Sequence, residues 1–88
     1  MTYIKDGTEY LDSREMRVYQ AVRQLNADRR TTNNSQIARI TRDSTTAVGQ
    51  VTQRLRRRGY LRDISKGAAY HWRLTGKPAV TEDRTSAS

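Results

Sequence analysis

The chain has 88 residues, of which 34% are apolar and none is phenylalanine, so it holds material for one small domain with a thin core. It contains no cysteine, which excludes disulfides and thiolate metal sites, and it has neither an apolar run long enough to span a membrane nor the opening pattern of a secretory leader. The formal charge of +8 is unevenly spread: residues 1–28 carry four basic and five acidic side chains, residues 29–73 eleven and two, and residues 74–88 two of each.

The whole surplus therefore lies in the central segment, which points to an anionic partner docking there. Fourteen of the seventeen basic residues are arginine, whose planar fork suits phosphate oxygens and guanine edges. A GC-rich genome would inflate arginine use generally, but it would not cluster it.

In chain order, Asp6-Gly7 sits between two short runs of strand-forming residues and predicts a small hairpin over residues 3–11. A lone hairpin is marginal in water, so this one is expected to pack on the domain or on a second subunit. Asp12 with Glu15 three residues later is a capping box that starts a first helix. Met16, Tyr19, Val22 and Leu25 recur at helical spacing as its buried stripe, to about Asn26. Asn33 with Gln36 opens a short second helix whose inner face is Ile37, Ala38 and Ile40. Asp43 and Ser44 are cap residues for a third helix over 44–58, which buries Val48, Val51 and Leu55 and stops at Gly59.

The remainder reads as two strands around Ser65, Lys66 and Gly67, with Tyr70, Trp72 and Leu74 alternating against His71 and Arg73. Tyr70 and Trp72 have a stronger claim as core than as stacking partners for bases. Residues 77–88 are small and polar and read as a disordered tail. The organisation expected is an N-terminal hairpin or arm over 1–12, a domain over 13–76, and that tail. The fold class is α+β, three helices followed by a C-terminal β-hairpin.

The stretch SQIARITRDSTTAVGQVTQRLRRRGYLRDI resembles the winged helix-turn-helix of small bacterial and phage regulators, particularly the MarR and ArsR kinds. Ile37-Ala38 match the apolar pair of the second helix, Ser44 the cap, and Val48, Val51 and Leu55 the buried face of the recognition helix. Arg57, Gly59, Tyr60 and Leu61 match the exit into the wing, and the Trp72-Arg73-Leu74-Thr75 run matches the returning strand. The likeness covers roughly residues 13–76. It departs at the turn between the second and third helices, where Arg42 and Asp43 replace the usual glycine and apolar residue, so the turn must close by another route.

The resemblance implies that the third helix enters the major groove of DNA by its N-terminal part. At 100° per residue, Thr46, Gly49, Gln50, Gln53 and Arg57 lie opposite the buried face, with Thr45, Arg54 and Arg56 on the flanks. Thr45, Thr46, Gln50 and Gln53 are the candidates for base edges, since glutamine pairs with adenine and a threonine methyl touches thymine. Gly49 costs a helix interior about 1 kcal/mol relative to alanine, a cost that close approach to the bases explains. Arg54, Arg56 and Arg57 then act as phosphate anchors, which give affinity and register but little sequence information. Arg39 and Arg42, with Arg29 and Arg30 before them, could grip the backbone on the other side of the groove. Lys66 at the hairpin tip and Arg73 could reach an adjacent minor groove or phosphate.

His71 is the lone histidine, the nine carboxylates are scattered, and no phosphate-cradling glycine motif occurs, so neither a catalytic site, a metal site nor a cofactor is expected. The leading reading is a cytoplasmic, sequence-specific binder of double-stranded DNA, a phage or prokaryotic repressor or excision factor acting as a homodimer. Two others stay open. One is a winged-helix adaptor that binds a protein such as polymerase or a host defence complex; the other is a non-specific architectural DNA-binding factor.

Overall fold

The computed structural model describes residues 3–5, 8–64 and 71–80. Asp6 and Gly7, Tyr70, the expected loop of Ser65, Lys66 and Gly67, and residues 81–88 lie outside the described residues. Among the described residues the architecture is α+β: three helices, and two antiparallel sheets of two strands each. No helix among the described residues is long and apolar enough to cross a membrane.

The first hairpin pairs β1 (Tyr3–Lys5) with β2 (Thr8–Tyr10), Tyr3 opposite Tyr10 and Lys5 opposite Thr8. The first helix, α1 (Ser13–Ala27), begins at the expected capping box. Asp12 Oδ1 accepts the Glu15 N–H at 2.8 Å, and Glu15 Oε1 accepts the Asp12 N–H at 3.0 Å. Its buried face is Val18, Ala21, Val22 and Leu25, so the expected stripe is displaced. Met16 and Tyr19 are only partly buried. Small and branched side chains occupy the close approach to the other helices, and the two longer ones fall at its border, Tyr19 meeting Tyr60 edge-on at 6.3 Å.

Arg29 ends α1 in the left-handed conformation, φ 56°. Its N–H reaches the Asn26 carbonyl at 3.1 Å, and the Arg30 N–H reaches that of Leu25 at 2.9 Å. This is the Schellman pattern, with arginine where glycine is usual. The second helix, α2 (Asn34–Thr41), is capped by Asn33, whose Oδ1 accepts the Gln36 N–H at 2.8 Å. Ile37 and Ala38 are buried as expected, but Ile40 is 41% exposed. Two residues past Ala38 is about 200° round a helix, which carries Ile40 off the inner face.

The turn without a glycine closes through Arg42, which takes φ 61° and ψ 30° and donates its N–H to the Ala38 carbonyl at 2.7 Å. The third helix, α3 (Thr45–Arg57), starts from Ser44, whose Oγ accepts the Ala47 N–H at 3.1 Å. Gly59, φ 86°, ends it in a second Schellman pattern, with the Gly59 N–H on Arg56 and the Tyr60 N–H on Leu55.

The second sheet pairs β3 (Leu61–Asp63) with β4 (Trp72–Leu74), Arg62 opposite Arg73 and Leu61 opposite Leu74. Leu61 and Trp72 are buried against the helices, while Arg62 and Arg73 are exposed. The other edge of β4 is satisfied from α1 and from the loop that follows it. The Trp72 N–H donates to the Thr32 carbonyl at 2.9 Å. The Asn26 amide donates to the Trp72 carbonyl at 3.2 Å and accepts the Leu74 N–H at 3.1 Å. One side chain thus stands in for a strand neighbour.

The core lies where α1, α2 and α3 meet and is closed by Trp72, Tyr60, Leu61 and Leu11. The chain does not leave this body at residue 77, where the tail was expected to begin. The Lys77 ammonium donates to the Arg58 carbonyl at 2.7 Å and lies 4.4 Å from the centre of the Tyr60 ring. Ala79 packs on the core, and the Val80 carbonyl accepts the Leu11 N–H at 2.7 Å.

Candidate nucleic-acid interface

The apolar spacing of α3 fixes which way its polar residues point. Val48, Val51 and Leu55 are each at most 2% exposed, so the opposite side must face out. Thr46, Gly49, Gln50, Gln53, Arg54 and Arg57 together line one shallow depression on that side. The floor is open because Gly49 has no side chain, and no carboxylate among the described residues lines it. Thr45 and Arg56 are exposed beside it, and Arg56 Nη1 donates to Gln53 Oε1 at 3.4 Å.

The arginines at the end of α3 have separate jobs. Arg54 turns toward α1, and its Nε donates to Oε2 of the fully buried Glu15 at 3.4 Å. The same carboxylate caps α1, so Arg54 ties the end of α3 to the start of α1 and is only partly open to solvent, at 36%. It borders the depression as well, so its guanidinium is shared between the buried Glu15 and the outer surface. Arg56, Arg57 and Arg58 are exposed.

Arg39, in the last turn of α2, and Arg42, in the turn after it, are exposed and lie next to α3 in the chain. Arg73 stands apart from the α3 set. It lines a cleft with Arg29, Arg30 and His71, between the loop after α1 and the second sheet. Arg39, Arg42, Arg57 and Arg73 make no ion pair among the described residues. Lys66 lies outside the described residues.

Two positions that hold this surface in place were missed in the sequence. Asn34 opens α2, and its Oδ1 accepts both the Trp72 Nε1–H at 2.8 Å and the Thr52 hydroxyl at 3.2 Å. Thr52 is fully buried on α3 and also meets the Gly49 carbonyl at 3.1 Å. A Cβ on Gly49 would meet Asn34 Nδ2 at 3.4 Å, an ordinary contact, so the packing of α3 on the start of α2 does not itself require glycine. Strand register also brings the exposed Arg62 opposite Arg73, a basic pair that the sequence reading did not include. Only the Trp72-to-Asn34 distance in sequence separates these from detection: polar residues at helix starts carry a local signal, and their distant partners carry none.

Comparison with known proteins gives no matching family model, no matching curated relative and no matching solved structure, so the case for function rests on the chain's own residues.

Proposed function

We propose that the chain is a winged helix-turn-helix protein that binds double-stranded DNA sequence-specifically, as a small phage or prokaryotic transcription regulator. In this reading α2 and α3 are the helix-turn-helix, α3 is the recognition helix, and β3 and β4 are the base of the wing. The observation that carries it is the outer side of α3. Short hydroxyl and amide side chains line a depression there that has no carboxylate among the described residues, with exposed arginines at its end. That is the residue chemistry that reads base edges while phosphate contacts hold the register.

Thr46, Gln50 and Gln53 meet the bases in the major groove, and Arg56, Arg57, Arg39 and Arg42 contact phosphates to either side. One recognition helix covers too few base pairs for high specificity, so the acting form is a homodimer on a palindromic site, working in the cytoplasm where that DNA lies. The protein is not an enzyme and needs no cofactor.

The test compares variants against a fixed duplex and its single-base changes. Thr46→Ala and Gln50→Ala should narrow the gap between the preferred site and its mismatches, each by about 1–3 kcal/mol at the contacted base. Arg56→Ala should weaken all duplexes evenly and lower the salt slope by about one. If all three bind as the parent does, α3 is not the reading element.

A further inference from the structure

We propose that the groove between α1 and α2 docks an acidic amphipathic helix of another protein. This rests on a surface that shares no residue with the depression on α3, and so stands independently of the DNA-binding reading.

The groove has a volume of about 460 Å³, and its apolar contacts come from Met16, Ala21, Ala27 and Ile40. Ile40 is the large apolar side chain it leaves open, at 41%, beside the smaller apolar groups of the α1 wall.

The rim identifies the occupant. Arg17 and Arg23 stand exposed along it, and no carboxylate among the described residues lines it. From Met16 to Ala27 the α1 wall runs about 16 Å, the length of a three-turn helix. An apolar floor with a basic rim is the complement of a helix with apolar side chains on one face and carboxylates beside them.

Two other occupants fit less well. A second copy docked by this face would set Arg17 and Arg23 against their own counterparts, like charge against like. The chain's own residues 81–88 read Thr-Glu-Asp-Arg-Thr-Ser-Ala-Ser, acidic at the start but without one large apolar side chain to fill the floor.

The experiment uses the full chain, isotope-labelled, titrated with a synthetic amphipathic helical peptide of about three turns that carries leucines on one face and glutamates on the other. A matched peptide has lysine at every glutamate. The glutamate peptide should bind in the micromolar range and shift the amide signals of Met16, Gln20, Gln24 and Ile40, and the lysine peptide should not bind. Ile40→Asp should weaken binding by roughly tenfold or more. The double reversal Arg17→Glu with Arg23→Glu, at two exposed positions, should transfer preference to the lysine peptide and supplies the answer if the Ile40 variant fails to fold.

Equal binding of both peptides, no binding at millimolar peptide, or shifts centred on α3 would overturn the proposal. So would a chain dimer that dissociates on Ile40→Asp, which makes the occupant a second copy. Tighter peptide binding after deletion of residues 81–88 would also overturn it, because the tail would then be the natural cover.

Discussion

The guanidinium of Arg54 and the carboxylate of Glu15, 39 positions apart, meet at 3.4 Å across the α1–α3 contact, with Glu15 fully buried. This pair divides a run of arginines that looks uniform on paper. Arg54, partly exposed, ties α3 to α1 through Glu15, while Arg56 and Arg57 are exposed.

Arg54→Ala should therefore cost stability, about 1–3 kcal/mol, because it removes a charge-assisted hydrogen bond from a buried carboxylate. Arg56→Ala should stay within about 0.5 kcal/mol of the parent. Denaturant midpoints for the two variants check this, and equal midpoints would mean that the buried pair contributes nothing.

Arg42 sits in the left-handed region at φ 61°, where a side chain costs about 1 kcal/mol or more and glycine costs none. Arg42→Gly should raise stability by roughly that amount, since the turn hydrogen bond to Ala38 is made by the backbone and survives. On the DNA-binding reading the same change loses a phosphate contact, so affinity should fall as stability rises. Thermal unfolding and a salt titration of binding, run on one sample, separate the two effects.

Gly49→Ala is the matching test inside α3. The added Cβ meets only the Asn34 amide, at 3.4 Å, so the helix should gain about 1 kcal/mol. If α3 lies against base edges, that methyl group stands in the interface and weakens DNA binding. A more stable variant with unchanged affinity would remove Gly49 from the interface.

Much of this could be read in advance, and the reason is locality. The caps at Asp12, Asn33 and Ser44 and the stop at Gly59 depend on residues three or four apart, and each behaves as its spacing implies. The outer side of α3 followed from three apolar residues that leave no choice of rotation. The failures share a different cause. Arg29 and Arg42 end helices in a conformation whose usual cue is glycine, so nothing in the sequence announced it. Ile40 had the right residue type and the wrong angle. Asn26 and Asn34 looked like ordinary helix-end polar residues, and their work is done on Trp72 and Leu74, about half the chain away.

Asn34 shows how much that distant work matters. Asn34→Ala removes the acceptor of both the buried Trp72 indole N–H and the Thr52 hydroxyl, and should cost roughly 2–3 kcal/mol. Tryptophan fluorescence followed through a urea titration reads the loss directly. A change no larger than that of an exposed alanine substitution would mean the two donors find other partners at little cost.

The most direct test of the DNA-binding reading is selection of bound fragments from random duplex DNA, followed by affinity against salt for the enriched sequence and an unrelated one. A defined palindromic motif should emerge, bound more tightly than unrelated DNA at every salt concentration, with Gln50→Ala relaxing it and Arg56→Ala leaving it intact. Uniform enrichment, or no duplex binding at moderate salt, would contradict the claim that α3 reads sequence.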